Sequence, residues 1–265
     1  MPVECFAATP YRAALMLCIF CVLAVPSRAQ PLRRDTIWDL KIGAPIAEQP
    51  DASGFRGFAC GSNGGPPRAA LSGWADFKRC AAEPDGLHEV YFEYDDELEY
   101  IARAHDNDRE ISRWAGTHEV TFPVITSALF DDAGILKGIR MVTDARPEHR
   151  NDITEADRKK REEAYTLGAV MASRFNIDPA RDCQATLPGE GETPVGSLFI
   201  KLACERTDRA GERRIVVRTN LFRKPGQSAY NPQLPTQLTQ GQFESSARLE
   251  VYQLASASGS VDKIK

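Results

Sequence analysis

The sequence predicts an α+β fold: mainly antiparallel β-sheet with one principal helix in the second half, stabilised by disulfide bonds. Three observations favour this class. Several segments alternate apolar and polar residues with the period of two that is typical of half-buried strands. One segment after Thr154 instead repeats its apolar residues at helical spacing. Four cysteines remain once a predicted export signal is removed, and an even number in an exported chain indicates cystines.

The chain begins with the features of a secretory signal peptide. Arg12 precedes an apolar segment over residues 13–25, and the small residues Ser27 and Ala29 precede Gln30. A positive start, an apolar core of this length and a small-residue cleavage site are typical of exported proteins. We therefore expect a mature chain that begins at Gln30 and keeps no membrane anchor, because the apolar core is short for a bilayer-spanning helix. An arginine-rich, alanine-rich composition without Asn-x-Ser/Thr sites favours a bacterial, periplasmic or secreted protein.

The distribution of charge divides the chain, whose net charge is −4. After the signal peptide (1–29), residues 30–150 are predicted to form an acidic, β-rich lobe. Residues 151–254 are nearly balanced in charge and are predicted to form a lobe of helix plus antiparallel sheet. The last segment, 255–265, has the composition of a disordered tail.

The first lobe is organised around an alternating strand within residues 86–97. Val90 and Phe92 fall on one face of this strand, and glutamate and tyrosine side chains alternate with them on the other. Two more apolar runs, 120–130 and 135–142, are separated by Asp-Asp-Ala-Gly, which is a strong signal for a β-hairpin.

The second lobe opens with the clearest helical pattern in the chain. Thr154 is a suitable N-cap, and apolar residues recur on one face as far as Phe175. Asn176 and Pro179 then end the predicted helix. The segments with strand patterns that follow are 197–204, 214–222 and 246–254.

The four cysteines of the mature chain allow three pairings. We prefer Cys60 with Cys80 and Cys183 with Cys204, because each pair closes a local loop within one lobe. A loop of roughly 20 residues stabilises the fold by about 3 kcal/mol in the chain-entropy model. A zinc site is the alternative, but no pair has the close C-x(2-4)-C spacing of a structural zinc site.

A run of carboxylates follows the alternating strand within residues 86–97. A solvated acidic turn explains such a run without any ligand. The alternative is a site for a hard cation such as calcium, which prefers several carboxylate oxygens. An EF-hand loop is excluded because Ile111 occupies the position where that loop needs glycine. The candidate ligands are Asp95, Asp96, Glu97, Glu99, Asp106 and Asp108. No other cofactor is predicted.

Catalytic motifs are absent from the sequence: it contains no HExxH helix, G-x-S-x-G elbow, P-loop or dinucleotide-binding fingerprint. His105 lies beside Asp106 and Asp108, which makes it the candidate for a hydrolase. Cys60 precedes a glycine-rich loop, so it is either a thiol nucleophile or half of a cystine, and the even cysteine count favours the cystine. The same loop could instead bind an anion through successive backbone N–H groups.

The arginines of residues 206–224 are interleaved with Glu205, Asp208 and Glu212. This pattern favours a salt-bridged solvent face over a nucleic-acid surface. The sequence therefore predicts a non-catalytic exported protein that binds an unknown protein partner or small ligand. A calcium-type binding protein and a hydrolase are the two alternatives.

Overall fold

The computed structural model describes the chain from residue 35 to residue 254, with internal gaps. The predicted signal peptide and the predicted tail lie outside the described residues. The described ranges are 35–94, 101–102, 104–107, 116–144, 155–227 and 243–254.

A single antiparallel sheet forms the framework of the described chain. Its strands are β1 (Arg56–Cys60), β2 (His88–Glu93), β3 (Thr117–Glu119), β4 (Phe122–Phe130), β5 (Leu136–Thr143), β6 (Cys183–Ala185), β7 (Ile200–Thr207), β8 (Arg213–Phe222) and β9 (Glu244–Gln253). Their spatial order is β1-β2-β4-β5-β9-β8-β7-β6, and β3 pairs with β4 beside this path. Strand β9 lies between β5 and β8, so strands from both predicted lobes share one sheet. The predicted mainly antiparallel fold is confirmed.

The predicted helix is present as two shorter helices, α1 (Glu155–Glu162) and α2 (Thr166–Arg174), and a short α3 (Pro179–Asp182) follows. Between α1 and α2 the backbone turns more tightly, because the N–H of Thr166 donates to the carbonyl of Glu163 rather than to a carbonyl four residues back. The apolar face predicted from the sequence continues across this break into α2. The helix-ending role predicted for Asn176 agrees with its left-handed backbone, φ 52°.

One face of the sheet carries the core. Val90, Ala128, Ile139, Val251 and Ile215 are cross-strand neighbours in β2, β4, β5, β9 and β8, and all five are buried. Helix α2 packs on this face at its β8–β9 end. Aromatic residues from the 3₁₀ turns and loops before β2 cover its β1–β2 end. Burial of this apolar face is the main favourable term in folding.

Helix α2 approaches the sheet through a glycine. A Cβ atom added to Gly168 would lie 2.0 Å from Oγ1 of Thr219 on β8. The side chains of Leu167 and Met171, on either side of this close approach, are almost fully buried. Glycine at this position therefore lets the helix lie close to the strand.

The structure also has the hairpin and the cystines predicted from the sequence. Strands β4 and β5 pair around a turn in which Oδ1 of Asp131 accepts hydrogen bonds from the N–H groups of Ala133 and Ile135. The cysteines pair as preferred, Cys60 with Cys80 and Cys183 with Cys204. The first cystine links β1 to the residue after a 3₁₀ helix, and the second links β6 to β7.

Candidate functional site

The second face of the sheet, which we call the polar face, carries many charged side chains together with a small buried cluster of Ala59, Tyr91 and Ile125. Ser127, Arg140, Glu250, Val216 and Glu205 form one cross-strand row through β4, β5, β9, β8 and β7. Side chains alternate along each strand, so this row points away from the core. The row brings a buried arginine and a buried glutamate together at the centre of the sheet.

Arg140 is the centre of a buried network of salt bridges, which we call the Arg140 network. Its side chain is 3% exposed. Nη1 and Nη2 donate to the two carboxylate oxygens of Glu83 at 2.8 and 3.0 Å. Nη1 also lies 3.1 Å from Glu89, and Nε donates to Glu250 at 3.0 Å. Three carboxylates thus surround one guanidinium, with the two-pronged geometry that makes arginine pairs strong.

Glu250 connects this network to the neighbouring strands. Its carboxylate accepts hydrogen bonds from Arg248 at 2.7 Å, from Arg218 at 3.0 Å and from the hydroxyl of Tyr252 at 3.0 Å. Burial raises the pKa of Glu250, but the hydrogen bonds and charges of Arg248 and Arg140 outweigh burial and lower it to about 2. Glu250 is therefore ionised in the folded protein at neutral pH.

The glycine-rich loop, residues 61–65, lies over this network. The N–H groups of Asn63 and Gly64 both donate to the carboxylate of Glu89. Nη1 of Arg248 donates to the carbonyl of Asn63 at 2.9 Å. A Cβ atom added to Gly61 would lie 2.3 Å from Cγ of Glu89, so glycine is needed there for the loop to lie this close.

These contacts distinguish between the interpretations of the glycine-rich loop, namely a thiol nucleophile, a cystine half or an anion site. Cys60 is half of a cystine, so the thiol-nucleophile reading of Cys60 does not hold. The successive N–H groups of the loop do bind an anion, but that anion is the carboxylate of Glu89 from the same chain.

A groove of about 380 Å³ lies on the polar face at its β6–β8 end. A volume of this size falls within the range of small-molecule sites. Arg218 connects the groove to the Arg140 network through Glu250. The side chains that line the groove are Arg181, Asp182, Gln184, Ala203, Cys204, Glu205, Val216 and Arg218.

The carboxylates at the groove are already paired. Asp182 contacts Arg181 at 2.9 Å and Arg206 at 3.2 Å, and hydrogen bonds from Arg181 and from the backbone hold its pKa well below the usual range. Glu205 accepts two hydrogen bonds from Arg214, each of 2.7 Å. Of the interleaved salt bridges predicted for the β7–β8 hairpin, the structure therefore shows the one between Arg214 and Glu205, whereas Arg206 pairs with Asp182 outside the hairpin.

Most of the acidic candidates for a calcium site fall outside the described residues, namely Asp95, Asp96, Glu97, Glu99 and Asp108. Asp106 is described and exposed, with a left-handed φ of 48°. His105, the hydrolase candidate, is exposed beside it. Within the described ranges, no three histidine, cysteine or carboxylate side chains converge as metal ligands. The calcium and hydrolase alternatives stay predictions.

The Arg140 network was not predicted from the sequence. Arg140 is separated from Glu83 by 57 positions and from Glu250 by 110, so no local pattern connects them. The available signal was an arginine directly between Ile139 and Met141, in the apolar middle of its strand. Such a residue needs a buried partner, but the sequence does not identify the partner.

The buried side chain of His88, at the start of β2, makes a second set of polar contacts. Its Nδ1 lies 2.7 Å from the carbonyl oxygen of Cys80 and its Nε2 lies 3.0 Å from Oδ1 of Asp132. Both partners are acceptors, and only a protonated imidazole donates from both nitrogens. The hydrogen bond to Asp132 accordingly raises the pKa of His88, although burial and the charge of Lys78 oppose this shift.

This geometry predicts a pH dependence of stability. Because the pKa of His88 is raised on folding, its contribution is fully present below the unfolded pKa near 6.5 and is lost as the pH rises through the folded value. Asp132 is exposed, so solvent screens the pair and we expect a small loss of stability between pH 6 and pH 8. Urea unfolding at the two pH values measures this loss. Asp132→Asn should reduce it, and an equal loss in that variant would contradict the assignment.

Comparisons of the chain with protein-family models, curated proteins and solved structures found no significant match. In the part of the chain that the structure describes, none of the helices has the length and apolar character required to span a bilayer.

Proposed function

We propose that this chain is an exported, non-catalytic binding protein and that the groove on the polar face is its binding site. The observation that carries the proposal is the position of the groove beside the Arg140 network. Arg218 lines the groove and is held by Glu250, which is itself held by Arg140 and Arg248. A binding group whose position is fixed before the ligand arrives loses less entropy on binding.

Two features of the sequence support the export part of this proposal. The chain starts with a signal-peptide pattern, and the cysteines of the predicted mature chain form two cystines. Cystines persist in oxidising compartments such as the bacterial periplasm. The non-catalytic part rests on the sequence, which contains no HExxH helix, G-x-S-x-G elbow, P-loop or dinucleotide-binding fingerprint.

Native mass spectrometry tests this proposal. The protein is purified from an exporting host without added metal or reductant, as the wild type and as Ala203→Phe, which fills the groove without changing a charge. We expect the measured mass to be that of a chain beginning at Gln30, less four hydrogens for two cystines. We also expect a bound adduct in the wild type that is absent from Ala203→Phe. An adduct that both proteins retain places the ligand elsewhere.

A turnover screen with peptide, ester, phosphoester and glycoside substrates tests the non-catalytic part. Activity that survives purification and disappears on changing one residue, for example His105→Ala, would support the hydrolase alternative instead.

We also propose that the cystines stabilise the exported protein. Replacing Cys183 and Cys204 together by serine is expected to lower the free energy of unfolding by about 3 kcal/mol, because the unfolded chain regains the freedom of a loop of 21 residues. Urea unfolding of the oxidised proteins measures this loss. Adding reductant to the wild type should give a similar or larger loss, and an unchanged midpoint in the double variant would contradict the proposal.

The calcium alternative makes a separate prediction. If the acidic residues after β2 bind calcium, millimolar calcium should raise the melting temperature, because a ligand that binds only the folded state stabilises it by mass action. Changing Asp95 and Asp96 together to asparagine should abolish the rise. No shift in the wild type would exclude a site of millimolar affinity or better.

A further inference from the structure

We infer that the ligand of the groove is a small oxyanion, a carboxylate or a phosphate, bound by the guanidinium of Arg218. This inference rests on the proposed function and names the class of ligand. It follows from which charges of the groove are already paired and which hydrogen-bond donors are left.

The acidic side chains of the groove are neutralised within the protein. Asp182 contacts two arginines, and Glu205 is held by both prongs of Arg214. A cationic ligand would have to compete with these guanidinium groups for the same oxygens. The groove therefore has no unpaired carboxylate, among the residues that line it, to bind a cationic ligand.

The guanidinium of Arg218 has N–H donors that are available to a ligand. Its Nη1 donates to Glu250, whose single negative charge is shared with Arg140 and Arg248. Its Nε and Nη2 have no hydrogen-bond partner among the described residues, although the charge of Glu205 acts on the guanidinium as well, and its side chain is 50% exposed. The Nε–Nη2 edge of a guanidinium matches the two oxygens of a carboxylate or phosphate.

Two other side chains of the groove can add donors. The side-chain amide of Gln184 is exposed on β6, in the same cross-strand row as Ala203 and Arg218. Arg181 uses its Nε and Nη2 on Asp182, which leaves its Nη1. An oxyanion on Arg218 would therefore meet donors from the opposite side of the groove.

Two apolar residues lie between these donors on the floor of the groove. Ala203 and Val216 line it, and they are neighbours of Gln184 and Arg218 in the sheet. A small apolar body attached to the anionic group fits this floor. An aromatic carboxylate such as benzoate has both parts, whereas inorganic phosphate has only the anionic one.

Titration calorimetry with two probes, benzoate and inorganic phosphate, tests the inference on the folded, oxidised protein. We expect at least one anion to bind the wild type. Arg218→Gln should weaken that binding about tenfold or more, as expected for losing hydrogen bonds to a charged group. Arg213→Gln is the control, because Arg213 is an exposed arginine of the same strand that does not line the groove.

Ala203→Phe keeps the inference testable if Arg218→Gln fails to fold, because it fills the groove and leaves every salt bridge in place. It should also abolish binding. Binding of benzoate alone points to a carboxylate ligand, and binding of phosphate alone points to a phosphorylated one.

Two results would overturn the inference. One is that neither anion binds the wild type, and the other is that both groove variants bind as well as Arg213→Gln. If neither anion binds but native mass spectrometry shows an adduct that Ala203→Phe removes, the proposed function is retained and the ligand belongs to another class. Absence of both anion binding and any such adduct would count against the proposed function as well.

Discussion

Replacing Arg140 by methionine is expected to lower the free energy of unfolding by about 3–5 kcal/mol, because it leaves buried carboxylates without their counter-charge. Arg140 contacts Glu83, Glu89 and Glu250, and its own side chain is 3% exposed. Burial and these carboxylates act in opposite directions on its pKa, and the net effect is a pKa above the usual arginine value. Arg140→Lys should also be destabilising, since an ammonium does not reproduce the two-pronged contact with Glu83.

Equilibrium unfolding in urea measures the effect, with Arg213→Met as the matched control. Arg213 is exposed at the start of β8, so its replacement should change stability by no more than about 0.5 kcal/mol. A loss below about 1 kcal/mol for Arg140→Met would mean that the network contributes little.

The pH dependence of the same variant identifies the cause of the loss. In the wild type, burial raises the pKa values of Glu83 and Glu250, but the hydrogen bonds and charges of their arginine partners outweigh burial and lower both pKa values. Their contribution is therefore present above the unfolded pKa near 4.5 and is lost as the pH falls through the folded values, which is about 2 for Glu250. In Arg140→Met these carboxylates lose an arginine partner and their pKa values are lowered less, so the difference in stability from the wild type should shrink as the pH falls from 5 towards 2. A constant difference would point to lost packing rather than lost charge pairing.

The parts of the fold that the sequence predicts correctly are those set by local patterns. The alternation in β2 and the Asp-Asp-Ala-Gly turn between β4 and β5 depend on residues a few positions apart. The cystine pairing was also local, since each pair is separated by 20 or 21 residues. The break between α1 and α2 was missed because the apolar spacing continues across it.

The candidate site could not be predicted because it depends on the order of the strands. Strand β9 comes from the end of the chain yet lies between β5 and β8, and this insertion brings Glu250 beside both Arg140 and Arg218. The sequence shows that the arginines of β8 need acidic partners. It does not show that Glu250 would be one of them.

The second large effect on stability is expected on the core-facing side of β2. Replacing Phe92 by alanine is expected to lower the free energy of unfolding by about 3–5 kcal/mol, the usual cost of emptying a buried phenylalanine site. Phe92 is 0% exposed, and its ring centroid lies 5.2 Å from that of Phe55 and 5.1 Å from that of Trp74. Both contacts are edge-to-face, which adds to the energy of burial alone.

Val170→Ala on α2 is the control for this loss, because Val170 is 43% exposed and should change stability by no more than about 0.5 kcal/mol. Phe92→Leu should recover a large part of the loss, since it refills most of the cavity without the edge-to-face contacts.

Phe92 and the Arg140 network lie on opposite faces of the sheet, so the effects of Phe92→Ala and Arg140→Met should add. A double variant much less destabilised than the sum would mean that the two faces are coupled through the backbone of β2, β4 and β5.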